Sequence, residues 1–317
     1  MPKPTFDVGI VVALPEEFDY LTELLPPADS IEFEGSYFYR LELPPVSVIC
    51  CLAGQMGTLP AMSAADRLLK FSDVSVLVLL GLAGAIDSGV EIGDVVVADE
   101  VNEFQASSKA ESTMDGYEVQ YSGRHWSLEF AIKESIRHFQ YSCPGGFAKW
   151  QTQIAEDFNE IMAKSDDDSV CSLPAKLHLG PIASGNVVAA STAFLNEIRR
   201  INRKFVAIDM EAAGVTYAAS ERVHPVQWLV VRGVSDRGDE QKKQVEDKDV
   251  NWRRYSVRNA IGLVRGLFSW DSFRIACGMG PAAQSTDDNN LPRDLVSQVR
   301  SHLGATWLIG VAFGLYS

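Results

Sequence analysis

Acidic residues at three distant points, Glu16/Glu17, Glu211 and Asp236, lie at the C-terminal ends of apolar runs or just after them. Those runs have the length and β-branched content of buried strands. In α/β sheets ligands bind beyond the carboxyl ends of the strands, so the three segments are placed to bring carboxylates to one cleft. Carboxylates grouped there suit proton transfer and the stabilisation of positive charge on a bound small molecule. Each acid also has a plain structural reading. Glu16 and Glu17 follow Pro15 in a first helical turn, where acids suit the helix dipole. Glu211 suits the start of its helix for the same reason, and Asp236 suits a cap or turn. Gly81 and Gly84 add a second sign, because glycine after a buried strand lets the backbone approach a ligand and donate its amides. No G-x-G-x-x-G or Walker pattern accompanies them, which argues against the known dinucleotide and triphosphate cradles.

The elements that must position these residues follow from apolar periodicity. Residues 8–14, 46–53 and 74–80 read as buried strands, and a further strand begins at 94–97. Helices are predicted after Pro15 up to Pro26 and over 59–71. Strands return at 177–184, 205–209 and 228–234, with helices over 211–220 and 252–268. Continuous apolar strands with helices between them imply a sheet covered on both faces, an α/β fold. Residues 103–176 are more polar, with helical segments at 126–139 and 150–163 and a solvated acidic loop at 165–169. They read as an elaboration of one domain spanning 1–272. Residues 273–317 read as a linker and an apolar tail, with a short helix at 291–303. The apolar run at 305–316 falls short of the roughly 20 residues that span a bilayer. It is expected to pack against the body or a partner, with a membrane contact as the second reading.

A formal net charge of −14 repels phosphate backbones, so no nucleic-acid partner is expected. A local pocket can still oppose that field for a small anion. The five cysteines Cys50, Cys51, Cys143, Cys171 and Cys277 form no C-x-x-C pair, so neither a metal site nor a disulfide framework is expected. Thiols of this kind fit a reducing compartment, and the N-terminus lacks the apolar segment of a signal peptide, so the expectation is cytoplasmic.

Five motifs in order carry a resemblance. They are Gly9-Ile10-Val11-Val12-Ala13-Leu14-Pro15-Glu16-Glu17, Gly81-Leu82-Ala83-Gly84-Ala85 with Gly93-Asp94-Val95-Val96-Val97 after it, Gly180-Pro181-Ile182-Ala183-Ser184-Gly185, Ile208-Asp209-Met210-Glu211-Ala212-Ala213-Gly214, and Val231-Arg232-Gly233-Val234-Ser235-Asp236. The set resembles the purine nucleoside phosphorylase/methylthioadenosine nucleosidase superfamily, over about residues 7–268 apart from the polar middle stretch. The resemblance implies a central mixed, mostly parallel twisted sheet flanked by helices, a homo-oligomer, and no cofactor or metal. It implies that Met210 and Glu211 hold a ribose and that Asp236 hydrogen-bonds or protonates a purine at N7. It implies that Glu17 positions an attacking water, with Glu16 as the fallback one residue away. Gly81, Ala83, Gly84 and Ser235 fall against the substrate, and Val188 and Ala189 line the base pocket.

The implied reaction is cleavage of the N-glycosidic bond of a purine nucleoside or nucleotide, with adenine as the expected base. Its transition state is oxocarbenium-like, so a carboxylate beside the ribose and an acid at the departing base are the groups it needs. Water is the favoured nucleophile. Phosphorylases of this family hold phosphate with cations, whereas the corresponding positions here are Leu79 and Leu82, and Glu16 and Glu17 would repel phosphate. Arg40 is the cation left to approach the cleft from elsewhere, so a phosphate-dependent phosphorylase is the alternative enzyme. Arg237 and Lys242-Lys243 are candidates for a 5′-phosphate, against a plain solvated cluster. Similar chains with an enlarged middle and a C-terminal extension serve in bacterial defence and signalling, a role the resemblance extends to this one. A non-catalytic nucleoside-sensing module is the reading from another class, and retention of the three acids argues against it.

Overall fold

The computed structural model describes residues 2–114, 116–162, 175–240 and 251–280. The chain opens with strand β1 (Thr5–Val12), helix α1 (Pro15–Leu24), strands β2 (Pro27–Phe33), β3 (Ser36–Leu43) and β4 (Val46–Leu52), and helix α2 (Thr58–Phe71). Strands β5 (Asp73–Ala85) and β6 (Val95–Glu103) follow. The middle stretch holds β7 (Lys109–Thr113), β8 (Gly116–Gln120), β9 (Arg124–Ser127), α3 (Phe130–Ser142) and α4 (Pro144–Met162). The chain then makes β10 (Leu177–Ser184), α5 (Thr192–Ile201), β11 (Ala207–Asp209), α6 (Ala212–Ser220) and β12 (Gln227–Asp236). Helices α7 (Trp252–Phe268) and α8 (Asp271–Ala276) complete the described part.

The main sheet runs β11-β10-β6-β12-β5-β1-β4-β3-β2, with β9 on β6. It is mixed. β1 pairs in parallel with β4 and β5, as do β5 with β12 and β10 with β6 and β11. β12 is antiparallel to β6, and β3 to both of its neighbours. β11 also pairs with β5, so β5, β12, β6, β10 and β11 close on themselves. Val8, Ile10 and Val11 of β1 and Val76 to Leu79 of β5 are wholly buried, which is why these strands read as continuous apolar runs. Among the described residues no helix is long and apolar enough to cross a membrane.

Several boundaries differ from the sequence reading. β5 does not stop at Leu80 but continues through Ala85, because its ladder to β12 and β11 runs on past Gly81. Trp126 lies on β9, not in a helix, and faces Val101 of β6 as an antiparallel partner. β2 was not foreseen; it is an edge strand with almost no buried side chain, so it lacks an apolar pattern. The folded body also runs past residue 272, since Phe273 and Cys277 are fully buried. The acidic loop at 165–169, Lys242-Lys243, the helix at 291–303 and the apolar run at 305–316 lie outside the described residues.

One close approach fixes the helices beside the sheet. α6 crosses α2 at Gly214, where a Cβ would strike the carbonyl oxygen of Thr58 and stand 3.0 Å from Met62 N. Thr58 in turn donates its hydroxyl to the Met210 carbonyl at 3.1 Å. Gly214→Ala must therefore part the helices, and it should cost about 1–3 kcal/mol, typical of overpacking. Urea unfolding measures this, and an unchanged midpoint would show that α2 and α6 separate freely.

Candidate active site

The C-terminal ends of β1, β5, β11 and β12 converge on one cavity of about 230 Å³. Glu17, Glu211 and Asp236 all line it, each less than a tenth exposed. Met210, Ala83, Gly84, Val188, Ala189 and Ser235 line it as well.

Glu17 is the third residue of α1. Its two carboxylate oxygens accept the backbone N–H of Leu14 (3.1 Å) and of Leu82 (2.9 Å). The acid thus ties the start of the first helix to the tip of β5. Burial raises its pKa, and Arg232, the two amides and Arg253 offset only part of that cost.

Glu211 precedes α6 and shares a buried arginine with Asp209. Arg232 donates from Nε (2.9 Å) and Nη2 (2.6 Å) to Asp209 Oδ2, and from Nη2 to Glu211 Oε2 at 2.8 Å. The other Glu211 oxygen accepts Gly57 N–H at 2.9 Å. Burial is the largest influence on Glu211 and raises its pKa, with Arg232 opposing. Burial disfavours the charge on Arg232 too, but Asp209, Glu211 and Glu17 together hold its pKa above the ordinary arginine value. Arg232 stands opposite Gly81 in the β12–β5 register. A Cβ at Gly81 would strike Arg232 Nη1 and lie 2.7 Å from Glu17 Oε1. The bare glycine is what lets guanidinium and carboxylate share that space, and Nη1 has no hydrogen-bond partner among the described residues.

Asp236 ends β12 just after a register shift against β5, an irregularity that re-aims the side chain. Its carboxylate accepts Ser235 Oγ–H (2.9 Å) and Gly238 N–H (2.8 Å). Ala189 packs beside Gly238, so an apolar wall stands next to this acid. Cβ positions at Gly81 and Gly84 lie within about 3 Å of the Glu17 and Asp236 carboxylates respectively. The two glycines stand three positions apart along β5, roughly 10 Å of rise.

The family model of the phosphorylase superfamily matches residues 7–269. The chain belongs to the phosphorylase superfamily. Among solved structures, a 5′-methylthioadenosine/S-adenosylhomocysteine nucleosidase of Colwellia psychrerythraea, in complex with adenine, has a TM-score of 0.62 and 19% identity, covering 89% of this chain and 100% of that one. The Neisseria meningitidis nucleosidase, in complex with methylthio-immucillin-A, gives 0.58 and 21%, covering 83% and 97%. Futalosine hydrolase of Helicobacter pylori gives 0.59 and 17%, covering 84% and 98%. At these identities the likeness is one of fold. The y4jS protein of Sinorhizobium fredii is 25% identical over 198 residues, 61% of this chain, and the match spans 44% of that protein's length.

Within this superfamily fold, two of the anticipated contacts fall elsewhere. Glu16 does not line the cavity; it turns to Tyr20 (2.8 Å) and Arg253 (3.0 Å), because neighbouring helical positions point about 100° apart. Gly81 lies beneath the cavity wall, against Arg232 and Glu17. Arg40 on β3 is also remote, paired with Asp29 at 3.4 Å and lying over the ring of Phe6 at the opposite end of β1 from the cavity. Sequence reasoning gave no role to Arg232, Asp209 or Arg253. The first carried a signal, since an arginine inside an apolar strand needs a buried partner.

Removing that arginine leaves two buried carboxylates without their cation. Arg232→Met should cost about 3–5 kcal/mol of stability, as when one member of a buried ionic group is deleted. Arg232→Lys should restore part of it, lacking the fork that serves both acids. Denaturant unfolding of both variants is the check, and a methionine variant as stable as the parent would remove the cluster from the account.

Proposed function

We propose that this superfamily member hydrolyses the N-glycosidic bond of an adenine nucleoside or nucleotide. The observation that carries the reading is the meeting of Glu17, Glu211 and Asp236 on one cavity, with Arg232 beneath them. Asp236, beside the apolar wall of Val188 and Ala189, donates a proton to the departing base at N7. Glu211 accepts from the ribose hydroxyls and stabilises the positive charge that develops on the sugar. Met210 packs against the same sugar. Glu17 orients and deprotonates the attacking water. Adenine and methylthio-immucillin-A in the nucleosidase complexes support the choice of base.

Water is preferred to phosphate on electrostatic grounds. The nucleophile's position is bounded by Glu17 and Glu211, and Arg232 is already committed to Asp209 and Glu211. A phosphate dianion there would meet two carboxylates across a few ångströms of poorly solvated space. We also propose a homo-oligomer, with exposed Met56 and Leu59 in a contact between copies, and a setting in defence or signalling.

Adenosine, methylthioadenosine, AMP and ATP, each with and without inorganic phosphate, test the reaction through release of free base. Release without phosphate is expected; strict phosphate dependence would convert the reading to a phosphorylase, and no release from any substrate would favour a sensor. Asp236→Asn should lose about 100-fold or more in kcat, the usual worth of a general acid. Turnover near that of the parent would take Asp236 out of the mechanism. Glu17 must be ionised to act as a base, and burial raises its pKa. Activity should therefore fall with decreasing pH already above the ordinary carboxylate range. A kcat/KM profile flat down to that range would exclude Glu17 as the base.

A further inference from the structure

A substrate of this shape has three chemical ends, and the proposed function uses two of them. The base belongs with Asp236, Val188 and Ala189, and the hydroxyl edge belongs with Met210 and Glu211. Among the described residues that line the rest of the cavity, Arg253 in the first turn of α7 is the one cationic side chain. We propose that Arg253 binds a phosphate on the 5′ carbon, so that the substrate class is a nucleoside 5′-phosphate. This inference rests on the assignment of base and ribose ends given above.

Arg253 is held in place by a chain of hydrogen bonds between two helix starts. Its Nε donates to Glu16 Oε2 at 3.0 Å. The other Glu16 oxygen accepts Tyr20 Oη–H at 2.8 Å, and Tyr20 Oη accepts Asn251 Nδ2–H at 2.8 Å. Asn251 Oδ1 in turn accepts Arg254 N–H at 2.8 Å, capping α7. This chain uses one edge of the guanidinium. The two terminal nitrogens have no hydrogen-bond partner among the described residues, and the side chain is about a quarter exposed. Four N–H donors are thus presented in a fixed fork, the geometry that grips phosphate oxygens in pairs. A neutral 5′ group would cover those donors without replacing the water they lose, a cost that phosphate oxygens avoid. Arg253 differs in this from Arg232, whose Nε and Nη2 are spent on buried carboxylates.

The test compares kcat/KM for AMP, ATP, adenosine and methylthioadenosine in phosphate-free buffer. The parent protein should favour a 5′-phosphorylated substrate over adenosine by at least about 10-fold, and the ratio of AMP to ATP reports how long a phosphate chain is accepted. Arg253→Ala should lower kcat/KM on the preferred nucleotide by about 10- to 100-fold, the worth of hydrogen bonds to a charged group, mainly through KM. Adenosine cleavage should fall less than nucleotide cleavage, so that the ratio of kcat/KM for nucleotide over adenosine drops by about 10-fold or more, and Arg253→Lys should recover part of the nucleotide activity. Equal losses on nucleotide and nucleoside would overturn the inference, since Arg253 would then only brace Glu16 and α1. A parent preference for adenosine or methylthioadenosine would overturn it too. Stimulation by inorganic phosphate that vanishes in Arg253→Ala would reassign the residue to a nucleophile site. Calorimetric binding of AMP against adenosine to the Asp236→Asn protein decides the point without turnover. Tighter AMP binding, lost on adding Arg253→Ala, supports the 5′ site even if no base is released. Equal binding rejects it while leaving hydrolysis standing.

Discussion

An arginine with no exposure to water has to be matched by charge, and Arg232 is matched by Asp209 and Glu211. The arrangement works in both directions. The two acids hold the guanidinium's pKa above the ordinary arginine value, and the guanidinium opposes the rise that burial gives Glu211. A buried ionic group of this kind adds little net stability compared with a well-packed apolar one, yet is costly to break. Its value lies in what it fixes: a carboxylate on the segment before α6 is locked to the middle of β12 and, through Gly57 N–H, to the start of α2.

The sheet supplies the rest of that precision through strand ends. β1, β5, β11 and β12 finish beside one another, so groups far apart in the chain need only short excursions to meet. Small residues then tune the distances. At Gly81 the missing side chain is filled by charged atoms from two other elements. At the end of β12 a slip in register turns Asp236 toward the apolar wall.

Much of this was legible in the sequence. Glu17, Glu211 and Asp236 stood out because each followed an apolar strand, and the strand-end rule makes such positions neighbours. The choice between Glu16 and Glu17 rested on resemblance alone. Helix geometry separates them sharply, but only the packing of α1 against β5 decides which one turns inward. Arg232 was visible as a cation within an apolar run, yet its partners lie more than 20 residues away in the chain and no spacing rule connects them. Arg253 was harder still. It follows a polar segment without a motif, and its place at the cavity depends on where α7 begins. β2 escaped notice because an edge strand facing water has no apolar signature.

The closure of β5, β12, β6, β10 and β11 on themselves has a dynamic consequence. A cylinder with no free seam cannot hinge or shear without breaking ladder bonds on both sides of every strand. The floor bearing Asp209, Arg232 and Gly84 is therefore constrained on every side by strand pairing, and adaptation to different guests falls to the rim: the turn after β1, the loop between β10 and α5, and the first turn of α7. Rim and floor are thus separable, one open to change in which guest it contacts and the other held by the sheet.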